Sequence, residues 1–250
     1  MKLGSLFDGS GGFPFAGALF GIEPVWASEI EAYPIRVTTK RFPGMKHLGD
    51  VTKINGAKIE PVDIITFGSP CQDLSVAGKQ AGIHNGERSN LFFEAIRIIK
   101  EMRQHDRASG RADKHIRPRF AVWENVPGAF SSNKGEDFRS VLQAFCEICS
   151  EGWVLVPQSQ EGKWKPCGCI VGDGFSVAWR VYDAQFWGVP QRRKRIYLIA
   201  DFASERAGEI LFEPEGVCWD IETSRKAREN ASGYVEGCTD GSGWCRWMNG

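Results

Sequence analysis

The feature that most limits what this chain can fold into is a regular exchange between two hydrophobic rhythms. Short runs rich in β-branched and aromatic residues, at Leu3–Phe7, Pro24–Ser28, Asp63–Phe67, Arg119–Trp123, Ser176–Asp183 and Arg195–Ala200, read as strands. Amphipathic stretches with a helical period lie among them, at Phe13–Phe20, Ala32–Arg41, Leu91–Met102 and Glu136–Cys149. The runs DIITF and RFAVW are almost continuously apolar, as strands covered on both faces require. The alternation predicts an α/β fold: a mostly parallel sheet, right-handed crossovers, and helices on both faces. The polar stretch Gln104–Pro118, which contains Ser109-Gly110, reads as a loop, and beyond Asp201 neither rhythm persists.

At 250 residues the chain is long enough for one large domain or two small ones. Its longest apolar stretch, Gly12–Ile22, is about half of what a membrane helix needs and is interrupted by Pro14. Met1-Lys2 leads straight into the first strand without a signal-peptide pattern, so a soluble, cytoplasmic protein with no membrane partner is expected. Lysine plus arginine and aspartate plus glutamate both total 31, which excludes a bulk polycation. The basic residues cluster nonetheless, between Arg97 and Arg119, at Arg192–Arg195 and at Arg225–Arg228. Each cluster fits either a nucleic-acid groove or an ordinary solvated surface. Cys146, Cys149, Cys167 and Cys169 have nearly the spacing of a four-thiolate zinc site. The first two also fall on the apolar face of a helix, where small buried residues belong, and no metal is expected.

In open α/β sheets ligands bind at the carboxyl ends of the strands. Four unusual groups fall there. Phe7-Asp8-Gly9-Ser10-Gly11-Gly12 follows the first strand, and its glycines permit close approach of a ligand to the amino end of a helix. Glu29 follows the second strand, placed to accept hydrogen bonds from ribose hydroxyls; the pair suits either a dinucleotide or S-adenosylmethionine. Ser69-Pro70-Cys71-Gln72 brings a thiol to the rim ahead of a glycine-hinged polar loop, where a positive field would favour the thiolate. Glu124-Asn125-Val126 adds a carboxylate that, if partly desolvated, could donate a proton near neutrality; an ion pair with a nearby arginine is the plainer role. Strand alternation sets Arg193 and Arg195 on one face, as a fork for phosphate or a carbonyl oxygen, or simply as an exposed basic edge.

These residues, from Lys2 to about Phe202, resemble the DNA (cytosine-5)-methyltransferases in the family's motif order. The resemblance implies a Rossmann-like S-adenosylmethionine-dependent methyltransferase fold. Phe7, Gly9, Gly11 and Gly12 resemble its cofactor loop, with Glu29 as the ribose acid, Asp50 with Val51 at the adenine, and Pro70 and Leu91 completing the cofactor site. Ile30 stands where the family often has an aromatic stacked on adenine. Cys71 is implied as the nucleophile on ring carbon 6 of a flipped cytosine, with Glu124 at ring nitrogen 3, Arg195 at the carbonyl oxygen and Arg193 beside it. Gln72, Ser75, Lys79, Gln80 and Asn125 are implied as contacts to the substrate. The expected activity is methyl transfer from S-adenosylmethionine to carbon 5 of cytosine in double-stranded DNA, as in bacterial or phage restriction-modification. The alternatives are a non-catalytic or split-enzyme fragment, a tRNA cytosine-5 methyltransferase, and a nicotinamide oxidoreductase that shares only the glycine turn and Glu29. Residues 1–202 read as the catalytic and cofactor-binding domain, and 203–250 as the truncated start of a target-recognition region. The family's last motifs have no match here, so an exposed apolar patch near Leu3–Phe7 is expected, or a helix supplied by a second polypeptide.

Overall fold

The structure is a computed structural model and describes residues 1–69, 91–149, 156, 164–188 and 190–212. Eight strands form one mixed sheet in the order β3-β2-β1-β4-β5-β8-β7-β6. They are β1 (Lys2–Leu6), β2 (Glu23–Ser28), β3 (Lys46–His47), β4 (Ile64–Phe67), β5 (Phe120–Asn125), β6 (Cys167–Gly172), β7 (Phe175–Asp183) and β8 (Lys194–Asp201). The first five pair in parallel, and β5 through β8 to β7 and β6 is antiparallel.

That antiparallel half departs from the simple strand–helix alternation read from sequence. Its cause is connection length. A parallel return needs a crossover of a dozen or more residues. Only Asp173 and Gly174 separate β6 from β7, with Gly174 at φ 73°, and the described residues of the β7–β8 link hold one 3₁₀ turn, at Ala184–Phe186, and no α-helix.

Helices cover both faces. On one face α3 (Leu91–Ala108) and α4 (Glu136–Cys146) pack against Leu6, Ile65, Phe67, Trp123 and Leu198 in the main core. Aromatic rings knit this core, with Phe92 meeting Trp123 and Phe145 edge-on at 6.0 Å between centroids. On the other face lie α1 (Gly12–Leu19) and α5 (Ala207–Leu211), the latter over Cys169, Ala178 and Ile199. Helix α2 (Ala32–Arg41) follows β2.

Gly17 lets α1 approach β1 closely, since a Cβ there would stand 3.3 Å from Leu3. Leu3 is consequently buried, Leu6 lies in the main core on the opposite face, and the apolar patch weighed for Leu3–Phe7 does not form. Phe15 and Leu19 on α1 and Phe20 at its C-cap are among the exposed apolar groups. Helix α3 runs six residues past the expected end at Met102, into the segment expected to be a loop.

Candidate active site

Parallel strands deliver their carboxyl ends to one rim. Leu6 pairs with Ser28 on one side and Phe67 on the other, and Phe67 pairs with Trp123. The glycine loop, Glu29, Gly68-Ser69 and Glu124 therefore share that rim. The antiparallel β8 starts there, because Ile196 pairs with Asn125.

The glycine loop is folded tightly. Phe7, Gly9 and Gly11 all have positive φ, at 53°, 54° and 81°. Only the glycines adopt this without strain. Glu29 latches the loop: Gly9 N–H donates to Oε2 at 2.8 Å, while Ile30 and Glu31 N–H donate to Oε1. The Asp8 amide adds a bond to the Ser28 carbonyl. Glu29 is thus an organiser of the loop besides having acceptor capacity for a ligand. Ile30, 70% exposed, stands beside it.

Asp50 caps the 3₁₀ turn Val51–Lys53, accepting from the Thr52 amide and hydroxyl, and these bonds hold its carboxyl below its ordinary value. The Val51 side chain packs in the main core and its carbonyl accepts from Arg97. Leu91 opens α3 and packs against the core.

At the other end of the rim Glu124 Oε1 meets Arg195 Nε at 2.9 Å, both groups being partly buried. The ion-pair role weighed for Glu124 is realised, and its partner is one of the two expected arginines. Glu124 Oε2 comes so close to Gly68 that a Cβ there would sit 3.1 Å away. Arg193 is exposed, and its amide donates to Asp183 Oδ1.

Pro70, Cys71, Gln72, Ser75, Lys79 and Gln80 lie outside the described residues. The last described residue before them, Ser69, is firmly held: Trp123 Nε1 donates to its Oγ at 3.0 Å and Asn125 Nδ2 to its carbonyl at 3.2 Å. Asn125 is 2% exposed and holds the Ser69 carbonyl from β5.

Two residues at this rim escaped sequence reasoning. Tyr197 sits opposite Glu124 in the β5–β8 register. Burial pushes its phenol up, Glu124 adds to the effect, and the charges of Arg193 and Arg195 oppose it. Asp8 is buried beside the glycine loop. Neither belongs to a spacing pattern; their environments arise only on folding.

Between Arg97 and Arg119 the basic residues are largely committed to the fold. Arg97 bonds Glu94 and Glu101, Arg103 is buried on backbone carbonyls, Arg111 and Arg117 share Asp106, and Arg119 pairs with Asp201. These contacts fit the solvated-surface and structural role weighed for the cluster. The thiols do not converge either: Cys146 lies in the main core and Cys169 in the cluster under α5. Among the described residues no three His, Cys, Asp or Glu side chains are placed to hold a metal.

Comparison with known proteins decides the ancestry. The family model described as C-5 cytosine-specific DNA methylase matches residues 1–149 and 171–215. The chain belongs to that family. Its members are S-adenosylmethionine-dependent methyltransferases, which removes the oxidoreductase alternative. The chain is 30% identical to Type II methyltransferase M.HhaI of Haemophilus parahaemolyticus, over 78% of this chain and 47% of that protein. It is 32% identical to a protein of Escherichia phage P1 named as a DNA N-6-adenine-methyltransferase, over 93% of this chain and 33% of that protein. That name speaks of adenine, and it describes a protein of which this chain matches one third. Among solved structures, a DNA modification methyltransferase from an Escherichia coli prophage shares the methylase fold. Its TM-score is 0.53 at 19% identity, covering 86% of this chain and 49% of that one. The chain thus spans about half or less of the relatives it matches. Among the described residues no helix is long and apolar enough to cross a membrane.

Proposed function

We propose that this chain carries the catalytic core of a DNA cytosine-5 methyltransferase, with double-stranded DNA as substrate and residues 1–202 as the cofactor-binding and catalytic domain. The observation that carries the reading is the Glu124–Arg195 pair, closed to 2.9 Å against Gly68 two residues ahead of Pro70-Cys71. S-adenosylmethionine fits the opposite end of the rim: Glu29 has acceptor capacity left, and Gly9 and Gly12 have open space where a Cβ would be. It would supply an electrophilic methyl group there, held by the glycine loop, Glu29, Asp50, Pro70 and Leu91, with Ile30 alongside the adenine.

The chain's own residues account for the rest. Cys71, as thiolate, adds to ring carbon 6 of an extruded cytosine, which raises electron density at carbon 5. Glu124 engages ring nitrogen 3 and Arg195 the carbonyl oxygen, where charge builds in the adduct. Arg193 orients Glu124 or takes a phosphate, and Gln72, Ser75, Lys79 and Gln80 contact the DNA. After methyl transfer a base takes the proton from carbon 5 and the Cys71 sulfur leaves, restoring the ring. Expulsion of the base from the duplex precedes all of this, because its ring carbons are inaccessible while stacked. Residues 203–250, or a second polypeptide, contribute to target recognition.

Tritiated-methyl transfer to duplex DNA, followed by nucleoside analysis, tests the reading. Labelled 5-methylcytosine is the expected product, from the chain alone or with a complementing polypeptide. Labelled N6-methyladenine, or transfer only to tRNA, overturns it.

A further inference from the structure

Strand β4 ends at Phe67, opposite Trp123, whereas β5 runs on to Asn125. The next two residues, Gly68 and Ser69, lie beyond that paired ladder, and side chains of β5 hold them instead. Alternation along the strand sends Trp123 and Asn125 to one face of the sheet and Glu124 to the other. On the first face the Trp123 indole donates from Nε1 to Ser69 Oγ at 3.0 Å. On the second, Glu124 Oε2 closes on Gly68. Consecutive residues of β5 thus grip the chain from both sides, and Cys71 follows two residues after Ser69.

The indole is the rigid half of that grip. Trp123 is fully buried, between Phe92, edge-on at 6.0 Å, and Phe138, stacked at 6.2 Å. A ring packed in this way cannot turn to seek another acceptor, and a buried indole N–H requires one. Ser69, 5% exposed, supplies it. Packing alone asks only for an apolar ring at this position. What the indole adds is one directed bond to the segment that leads into the thiol.

We propose that Trp123 is a positioning residue for Cys71. Its N–H fixes Ser69, and two peptide units, at most about 8 Å, separate Ser69 from the residue that bears the thiol. Trp123 also adjoins Glu124 in β5, so one strand sets the nucleophile from one face and the carboxylate from the other. The Cys71 sulfur is thereby aligned with ring carbon 6 while Glu124 meets ring nitrogen 3. This rests on the reading of Cys71 and Glu124 as the pair that activates cytosine, and it adds the residue that aligns them. The bond governs the rate of the covalent step and leaves affinity for DNA and cofactor alone.

The rate of adduct formation on a duplex carrying 5-fluorocytosine, which stalls turnover at the covalent stage, reads that alignment. A preparation that methylates DNA would be given saturating duplex and S-adenosylmethionine, with wild type, Trp123→Phe, Ser69→Ala and the double variant compared. Ser69→Ala removes a single oxygen and is the change least able to disturb the core; denaturant titration verifies each fold. Each single change should slow adduct formation about tenfold, against the hundredfold that a full ångström of misplacement can cost. Affinity for S-adenosylhomocysteine and for unmodified duplex should stay within about twofold. The double variant should be no slower than the slower single one, since both changes remove the same bond. A wild-type rate in Ser69→Ala, or losses that multiply in the double variant, refutes the positioning role and leaves Cys71 as the nucleophile. Parallel losses of rate and of both affinities refute it too, as the mark of a general disturbance. A wild-type preparation that methylates DNA and forms no adduct refutes the reading of Cys71, and the positioning role with it.

Discussion

Asp8 has a consequence for stability, with a definite sign. Burial, opposed by Ser5 and reinforced by Glu29, pushes its carboxyl up from 3.8 to about 6. The folded chain holds this proton up to about pH 6, whereas the unfolded chain releases it near pH 4. The stability that it contributes is full below about pH 4 and is lost as pH rises through 6, by on the order of 3 kcal/mol. Asn keeps the shape without the charge. Thermal melts of ligand-free Asp8→Asn are expected to show a midpoint several degrees above wild type at pH 7.5 and little difference at pH 4. An unchanged midpoint at pH 7.5 would mean that the carboxylate is solvated or paired. At the far end of the rim, Gly68→Ala places a methyl 3.1 Å from Glu124 Oε2 and pushes against the ion pair with Arg195. The carboxylate has to give by a few tenths of an ångström, so methyl transfer should fall by about threefold or more, a full ångström being able to cost about a hundredfold, while S-adenosylhomocysteine affinity is unchanged. Equal losses in both would point to a general disturbance of the fold.

At the scale of elements, two basic segments of similar appearance in sequence have opposite fates. The run from Arg97 to Arg119 lies on α3 and the approach to β5, and most of its cations pair with carboxylates or carbonyls. Arg192, Arg193 and Lys194 stay exposed at the rim, held there because Asp183 accepts from the amides of both Gln185 and Arg193. DNA affinity should therefore drop in Arg192→Ala and Lys194→Ala, and its salt dependence should become shallower, because each change takes one cation away from a phosphate. Lys114→Ala should leave both unchanged; a comparable drop there would return that segment to the binding surface. The same contrast explains what was legible. DIITF and RFAVW announced β4 and β5 because burial on both faces leaves few polar positions. The last turns of α3 were hidden because Asp106 and Arg107 look like loop residues until Arg111 and Arg117 close on Asp106. Strand β6, Cys167–Gly172, was missed because its glycines dilute the apolar pattern; Gly168 is there to make room for the Trp179 ring. The glycine loop, Glu29, Glu124 and the arginines stood out because their chemistry sits next to strand ends in sequence. Asp8, Tyr197 and the hold on Ser69 depend on contacts between segments 20 or more residues apart and carry no local mark.

Across the whole molecule, the sheet divides into a parallel half that offers the cofactor rim and an antiparallel half that brings β8 back beside β5. That return is what sets Arg195 against Glu124. It is secured at the opposite edge, where buried Asp201 accepts from Arg119, Ser204 and the Ala203 amide. Asp201→Ala leaves the Ala203 amide bare and takes the carboxylate from Arg119, which is partly exposed, so a loss of about 2 kcal/mol in unfolding free energy is expected from denaturant titration, in the range for lost hydrogen bonds to a charged group. Less than about 1 kcal/mol would show that β8 is held by packing alone. The central claim is that this rim performs covalent cytosine chemistry, and trapping tests it most directly. A preparation that methylates DNA would be given S-adenosylmethionine and a duplex carrying 5-fluorocytosine, whose fluorine cannot leave as a proton does. A denaturation-resistant protein–DNA adduct, mapped by mass spectrometry to Cys71 and absent from Cys71→Ala, is the predicted result. Methylation of normal duplex with no adduct on the fluorinated one, or an adduct that persists in Cys71→Ala, would contradict it.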